Sequence, residues 1–98
     1  MPALIRYSGA GLTREQYEAV GEKLQAQGHW PGDGLIAHVS FGADGDMRVS
    51  EVWESPEKLQ AFQEHLLPIL QELGVPTTPE PEVFEVYNVL SAEYSTRP

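Results

Sequence analysis

The sequence predicts an α+β protein of the ferredoxin-like class, a four-stranded antiparallel sheet with two helices on one face in the order β-α-β-β-α-β. Segments of period two alternate in that order with segments of helical period, separated by proline- and glycine-rich breaks. Asp44-Gly45 joins the two central strands as a hairpin signal. Each helical segment opens on a recognisable cap.

The elements follow in turn. Ala3 to Tyr7 is short and apolar, and reads as the first strand. Thr13-Arg14-Glu15-Gln16 has the form of a capping box, with Leu12 and Tyr17 placed as its hydrophobic staple. Tyr17, Val20 and Leu24 recur at helical spacing until Gly28 stops the helix. Leu35 to Phe41 alternates as a strand and Met47 to Glu54 returns. Ser55 then caps a second helix with Pro56 at its first position and Glu57 favourable to its dipole. Leu59, Phe62, Leu66, Ile69, Leu70 and Leu73 form its apolar stripe. Pro68 lies inside that stripe and predicts a kink or break near Leu67. Gly74 ends the helix. Val83 to Leu90 reads as the last strand, and residues 91–98 as a polar tail on a single domain spanning 1–98.

Composition narrows the function. The chain has 98 residues, 15 acidic against 6 basic, for a formal charge of −9. With 41% hydrophobic and 21% charged residues it is composed as a folded globule. That charge repels phosphate backbones, so nucleic acid is not an expected partner. The absence of cysteine excludes disulfides, thiolate metal sites and cysteine nucleophiles. No apolar run approaches the ~18–20 residues that span a bilayer, so no membrane role is expected. The N-terminus reads straight into a strand without a basic leader, which predicts a cytoplasmic protein. No nucleotide-binding glycine signature and no Gly-x-Ser-x-Gly elbow is present, so neither a resident cofactor nor a serine triad is expected.

A two-residue turn at Asp44-Gly45 fixes a register. It places His38 opposite Glu51, Ile36 opposite Trp53 and Ser40 opposite Val49, and opposite residues share a face. The other face has an apolar centre, Ala37, Val39 and Val52, and is expected to lie under the helices. The face with His38, Glu51 and Trp53 is then expected to point away from them. It is too apolar for an ordinary wet face. Two copies packed sheet to sheet would bury it and close a barrel across a two-fold axis, so a homodimer is expected.

Glu51-Val52-Trp53-Glu54-Ser55-Pro56-Glu57, continued through Phe62-Gln63-Glu64-His65-Leu66, resembles the antibiotic biosynthesis monooxygenase-like proteins of the dimeric α+β barrel group. The shared pattern is a strand ending in Glu-x-Trp, a capped helix and a histidine near its end. The element order extends the resemblance over residues 3–90, closest to the small uncharacterised bacterial members. It implies a homodimer with a pocket between sheet and helices in each subunit. Some relatives oxidise aromatic polyketides with molecular oxygen and neither metal nor flavin; others degrade haem. Haem-degrading members pair a strand tryptophan and a helical histidine with an asparagine on the first strand, where this chain has Arg6, Tyr7 and Ser8.

The candidate site follows from register and resemblance together. His38 beside Glu51 reads as a general base with its orienting carboxylate, or as a structural pair satisfied by a hydrogen bond. A buried Glu51 needs a partner on either reading. Trp53 and Ile36 would wall a pocket for a small aromatic ligand. His65 reads as a pocket lip or a plain helix-surface residue, and Asn88, unusual in a strand, as a substrate or fold contact. His29 and Trp30 stand in a connector, Gly28 to Gly34. A metal site from His38, Glu51 and His65 has no spacing to support it. The functions in view are a cofactor-independent oxygenase, for which a base and a dry pocket suffice, a non-catalytic ligand-binding or structural dimer, and a haem-binding protein.

Overall fold

A computed structural model describes residues 1–92 and the backbone of Ser95 and Thr96. The order is β1 (Ala3–Tyr7), α1 (Arg14–Ala26), β2 (Leu35–Ala43), β3 (Asp46–Trp53), α2 (Pro56–Glu72), β4 (Glu82–Glu85), then two short strands, β5 (Val89–Leu90) and β6 (Ser95–Thr96). The main sheet is antiparallel with strand order β2-β3-β1-β4, the ferredoxin-like arrangement the sequence predicts.

The caps form as the sequence writes them. The Thr13 hydroxyl accepts from the Gln16 N–H at 3.0 Å, and the Gln16 side chain accepts from the Thr13 N–H at 3.1 Å. Ser55 accepts from the Lys58 N–H at 3.2 Å. Both helices end in Schellman motifs. Gly28 and His29 donate to Gln25 and Leu24, and Gly74 and Val75 donate to Gln71 and Leu70. Gly28 (φ +78°) and Gly74 (φ +67°) hold the left-handed position these motifs require. Beyond these turns, Trp30 and Val75-Pro76 line the space between helices and sheet.

Several expectations are corrected. α2 runs unbroken through Pro68. Pro68 and Glu64, whose carbonyl loses a helical donor, are both exposed, so water can serve that oxygen. The last strand stops at Glu85 instead of reaching Leu90. Val86 donates its N–H to the Pro2 carbonyl, and Pro2 has no N–H to return, so the ladder ends there. β5 pairs with β6 instead, which places a strand in the expected polar tail; Glu93, Tyr94, Arg97 and Pro98 lie outside the described residues. At the hairpin, Ala43 pairs with Asp46 and His38 with Glu51 as expected, but a bulge between Leu35 and Ala37 sets Leu35, not Ile36, opposite Trp53.

The largest correction concerns the faces. β1 lies beside β3 with Ile5 opposite Glu51 and Ala3 opposite Trp53. Ile5 and Trp53 belong to the core, with Leu24 of α1 and Leu59, Phe62, Leu66 and Ile69 of α2. His38, Glu51 and Trp53 thus lie under the helices, and Ala37, Val39 and Val52 face away. Apolar content alone could not choose between the faces, because both are apolar enough to be covered. The choice falls to hydrogen bonding, since His38, Glu51 and Trp53 satisfy one another inside.

Candidate functional site

The centre of the helix-covered face is a chain of four side chains from three elements. Trp53 and Glu51 are two residues apart on β3, so both project to one face. The Trp53 indole N–H donates to Glu51 Oε1 at 3.1 Å. Glu51 Oε2 meets His38 Nδ1 on β2 at 2.7 Å. His38 Nε2 meets the Tyr17 hydroxyl on α1 at 2.6 Å. The capping box and the Asp44 side chain, which accepts from the Arg14 N–H at 3.0 Å, fix where α1 begins and hence where Tyr17 stands.

Burial grades this chain. Trp53 is fully buried, Glu51 is 4% exposed, and His38 and Tyr17 are half-buried. A buried carboxylate without Lys or Arg needs other donors, and the indole and the imidazole supply them. With Glu51 as carboxylate, His38 donates from Nδ1, and Nε2 is free to accept the Tyr17 O–H. A hydroxyl, an imidazole and an orienting carboxylate in series are the working parts of a proton relay.

The relay borders a cavity of about 280 Å³ between the helices and the sheet. Tyr7, Tyr17, His38 and Glu51 give it polar groups; Leu24, Phe62 and Leu66 are among its apolar walls. No Lys or Arg is among its lining residues. Tyr7, on β1 opposite Val49, has a buried hydroxyl with no partner in hydrogen-bonding geometry. Burial first, then the Glu51 carboxylate, push its phenol above the ordinary tyrosine range, and the nearby Gln63 amide opposes the shift.

Residues 28–34 form a strap along one side. Trp30 packs edge-on to His38, ring centroids 5.0 Å apart, and tilted on Phe62 at 6.0 Å. His29 stacks face to face on His65 of α2 at 3.7 Å and 14°. The Lys58 ammonium meets Asp33 at 2.5 Å, and that hydrogen bond and charge hold Lys58 above its usual range. Gly32 lies so close that a Cβ there would stand 2.6 Å from the Trp53 ring and 2.7 Å from Phe62.

The structure brings His38, Glu51 and Trp53 together and leaves the other candidates elsewhere. Trp53 serves as a hydrogen-bond donor behind the cavity, not as its wall. Ile36 sits at the bulge outside the lining. His65 stacks on His29, also outside the lining. Asn88 is exposed beyond the end of β4. Among the described residues no three metal-ligating side chains cluster, and His65 does not join His38 and Glu51. The cavity lining thus offers neither His65 as an iron ligand nor a Lys or Arg for haem propionates.

Tyr17, Tyr7 and Trp30 carry polar or aromatic weight at the site without having been singled out for it. Tyr17 reads as a staple and a stripe residue, and its polar tip in an otherwise apolar stripe is the one signal that it needs a buried partner.

No family model matches the sequence, and no curated protein is significantly similar to it. Among solved structures the chain is similar to Rv0793 from Mycobacterium tuberculosis, with a TM-score of 0.53 over 93% of this chain and 96% of that one at 16% identity. At that identity the likeness establishes a shared α+β fold, with the site geometry above this chain's own.

Proposed function

We propose that the chain binds an uncharged, largely apolar small molecule beneath its helices and takes a proton from it through Tyr17, His38 and Glu51. The observation that carries this reading is the continuous hydrogen-bonded series from Trp53 to Tyr17, ending at the wall of the cavity. The lining offers carboxylates at Glu18 and Glu51 but no cation, so it suits a neutral ligand better than an acid or a phosphate. The volume suits a ligand of one or two rings.

The resemblance to monooxygenase-like barrels sharpens the reaction. An activated CH₂ of an aromatic substrate gives up a proton to the relay, and the carbanion adds molecular oxygen. Loss of water from the carbon-bound hydroperoxide leaves a carbonyl; one O₂ is consumed and one water released. The protein supplies a base and a dry pocket, and the substrate supplies the electrons.

A thermal-shift screen of neutral one- and two-ring phenols and ketones tests binding, since a ligand of the native state raises Tm. Oxygen uptake with each binder tests turnover. Tyr17→Phe should keep the Tm rise and lose the uptake. Binders without turnover in the native protein would favour the ligand-binding alternative, and no binders at all would sink the reading.

The bare sheet face supports a homodimer. Val39, Phe41 and Phe84 are 54%, 44% and 45% exposed, and half-buried Leu4 and Val52 lie between them. A second copy placed sheet to sheet would cover this patch. Sedimentation should give a dimer, and Phe41→Glu should shift it to monomer; a monomeric native protein would remove the proposal.

A further inference from the structure

We propose that Trp53 is a positioning residue, whose indole N–H turns the Glu51 carboxylate so that His38 carries its proton on Nδ1 and presents a bare Nε2 to Tyr17. The chemical use of that arrangement rests on the relay reading above; the arrangement itself does not.

Glu51 has two oxygens, each with one partner: Oε1 with the indole at 3.1 Å, Oε2 with the imidazole at 2.7 Å. An indole N–H only donates. A proton on Oε1 would make it a poorer acceptor for that donor, which disfavours that microstate. Whatever proton the pair shares lies between Oε2 and His38 Nδ1. With Glu51 a carboxylate, both of its oxygens accept, so Nδ1 carries the proton. Nε2 is then an acceptor, and the Tyr17 hydroxyl, 2.6 Å away, donates to it. Without the indole, Oε1 is an unpaired buried acceptor, and the carboxyl is free to turn away from Nδ1 or to present a protonated oxygen to it.

The Trp53 ring is fixed by its own surroundings. It is fully buried and tilted on Phe62 at a centroid distance of 4.8 Å, and Gly32 is in contact across the strap. The ring cannot follow Glu51; Glu51 must follow the ring. A tryptophan at this point of the strand therefore sets the tautomer of a histidine two side chains away.

The test is the side-chain ¹⁵N spectrum of His38 in the ¹⁵N-labelled full chain, which distinguishes a protonated from a bare ring nitrogen and needs no substrate. The native protein at mildly alkaline pH should show Nδ1 protonated and Nε2 bare. Trp53→Phe, which keeps an aromatic ring but removes the donor, should move His38 toward the Nε2–H tautomer. Glu51→Gln covers the case in which Trp53→Phe does not fold, because it keeps the shape of the side chain. If the indole anchors residue 51, the Gln carbonyl stays on Trp53, the amide N–H₂ faces His38 Nδ1, and the ring switches to Nε2–H. If the indole does not anchor it, the carbonyl turns to His38 and Nδ1 stays protonated. An Nε2–H native protein, a folded Trp53→Phe with an unchanged tautomer, or a Glu51→Gln that keeps Nδ1–H would each overturn the proposal. None of these outcomes depends on whether a ligand binds or reacts, so the relay can fail as chemistry while the positioning stands, and the reverse.

Discussion

The two faces of one sheet, built from alternate residues of the same strands, are opposite in kind. Under the helices Ile5, Glu51 and Trp53 are buried, and His38 stands with them. On the bare side Phe41, Val39 and Phe84 are exposed around half-buried Leu4 and Val52. The inner face holds His38 and Glu51 among Ile5, Val49 and Trp53, while the outer face sets exposed Arg6, Arg48 and Glu82 beside its apolar residues. For the charged pair on this sheet, burial is made possible by hydrogen-bond partners. An inward His-Glu pair is tolerable because Trp53 and Tyr17 complete its hydrogen bonds, while the outward apolar face is left for something else to cover.

The widest separation between the faces should appear on truncating one aromatic from each. Trp53→Ala removes a fully buried ring and the donor to Glu51, and should cost about 3–5 kcal/mol in urea unfolding. Phe84→Ala should cost less than ~1 kcal/mol in the isolated chain, since the ring is 45% exposed. A comparable cost for Phe84→Ala that grows with protein concentration would show that the bare face is closed between copies.

Gly32→Ala sharpens the picture of the inner face. Its Cβ would stand 2.6 Å from a ring that cannot withdraw, so a loss of about 1–3 kcal/mol is expected from overpacking. Urea melts of Gly32→Ala and Gly45→Ala, whose Cβ meets nothing within 4 Å but whose φ of +88° strains any side chain, separate the two causes. The tryptophan fluorescence, from Trp30 and Trp53 together, should change in the first variant alone. Tyr17→Phe comes next. It removes one hydrogen bond from His38 and leaves the one to Glu51, a loss of ~1 kcal/mol.

The sequence was most legible where a local signal had one physical solution. Thr13 with Gln16, Ser55 with Pro56, and glycines 28 and 74 mark helix ends because few other residues satisfy those orphan backbone groups. The Asp44-Gly45 turn carried the His38–Glu51 pairing correctly. The orientation of that pair was not legible. Period two says which residues share a face but not which face is covered, and covering depends on partners from elsewhere in the chain: Ile5 on β1, Tyr17 on α1 and Phe62 on α2. His65 enters through the resemblance and Asn88 through its residue type, yet His65 faces the strap and Asn88 lies past the last ladder bond, Val86 to Pro2. Neither fact is local.

The smallest effect at neutral pH belongs to Tyr7, and alkali should enlarge it. Its hydroxyl is buried without a partner, so Tyr7→Phe should be neutral or stabilising by up to ~1 kcal/mol near pH 7. Burial and the Glu51 charge raise its folded pKa above the ordinary 10.0. In the unfolded chain the phenol ionises from about that value, while the folded chain keeps its proton. Above pH 10 the unfolded state therefore binds fewer protons, and stability falls as pH rises, by at most ~1.4 kcal/mol per pH unit for one group. Below that window the contribution is fully present. Urea unfolding at about pH 8 and about pH 11 should show the native protein losing more than Tyr7→Phe does. An equal loss in both would assign the alkaline limb to another group.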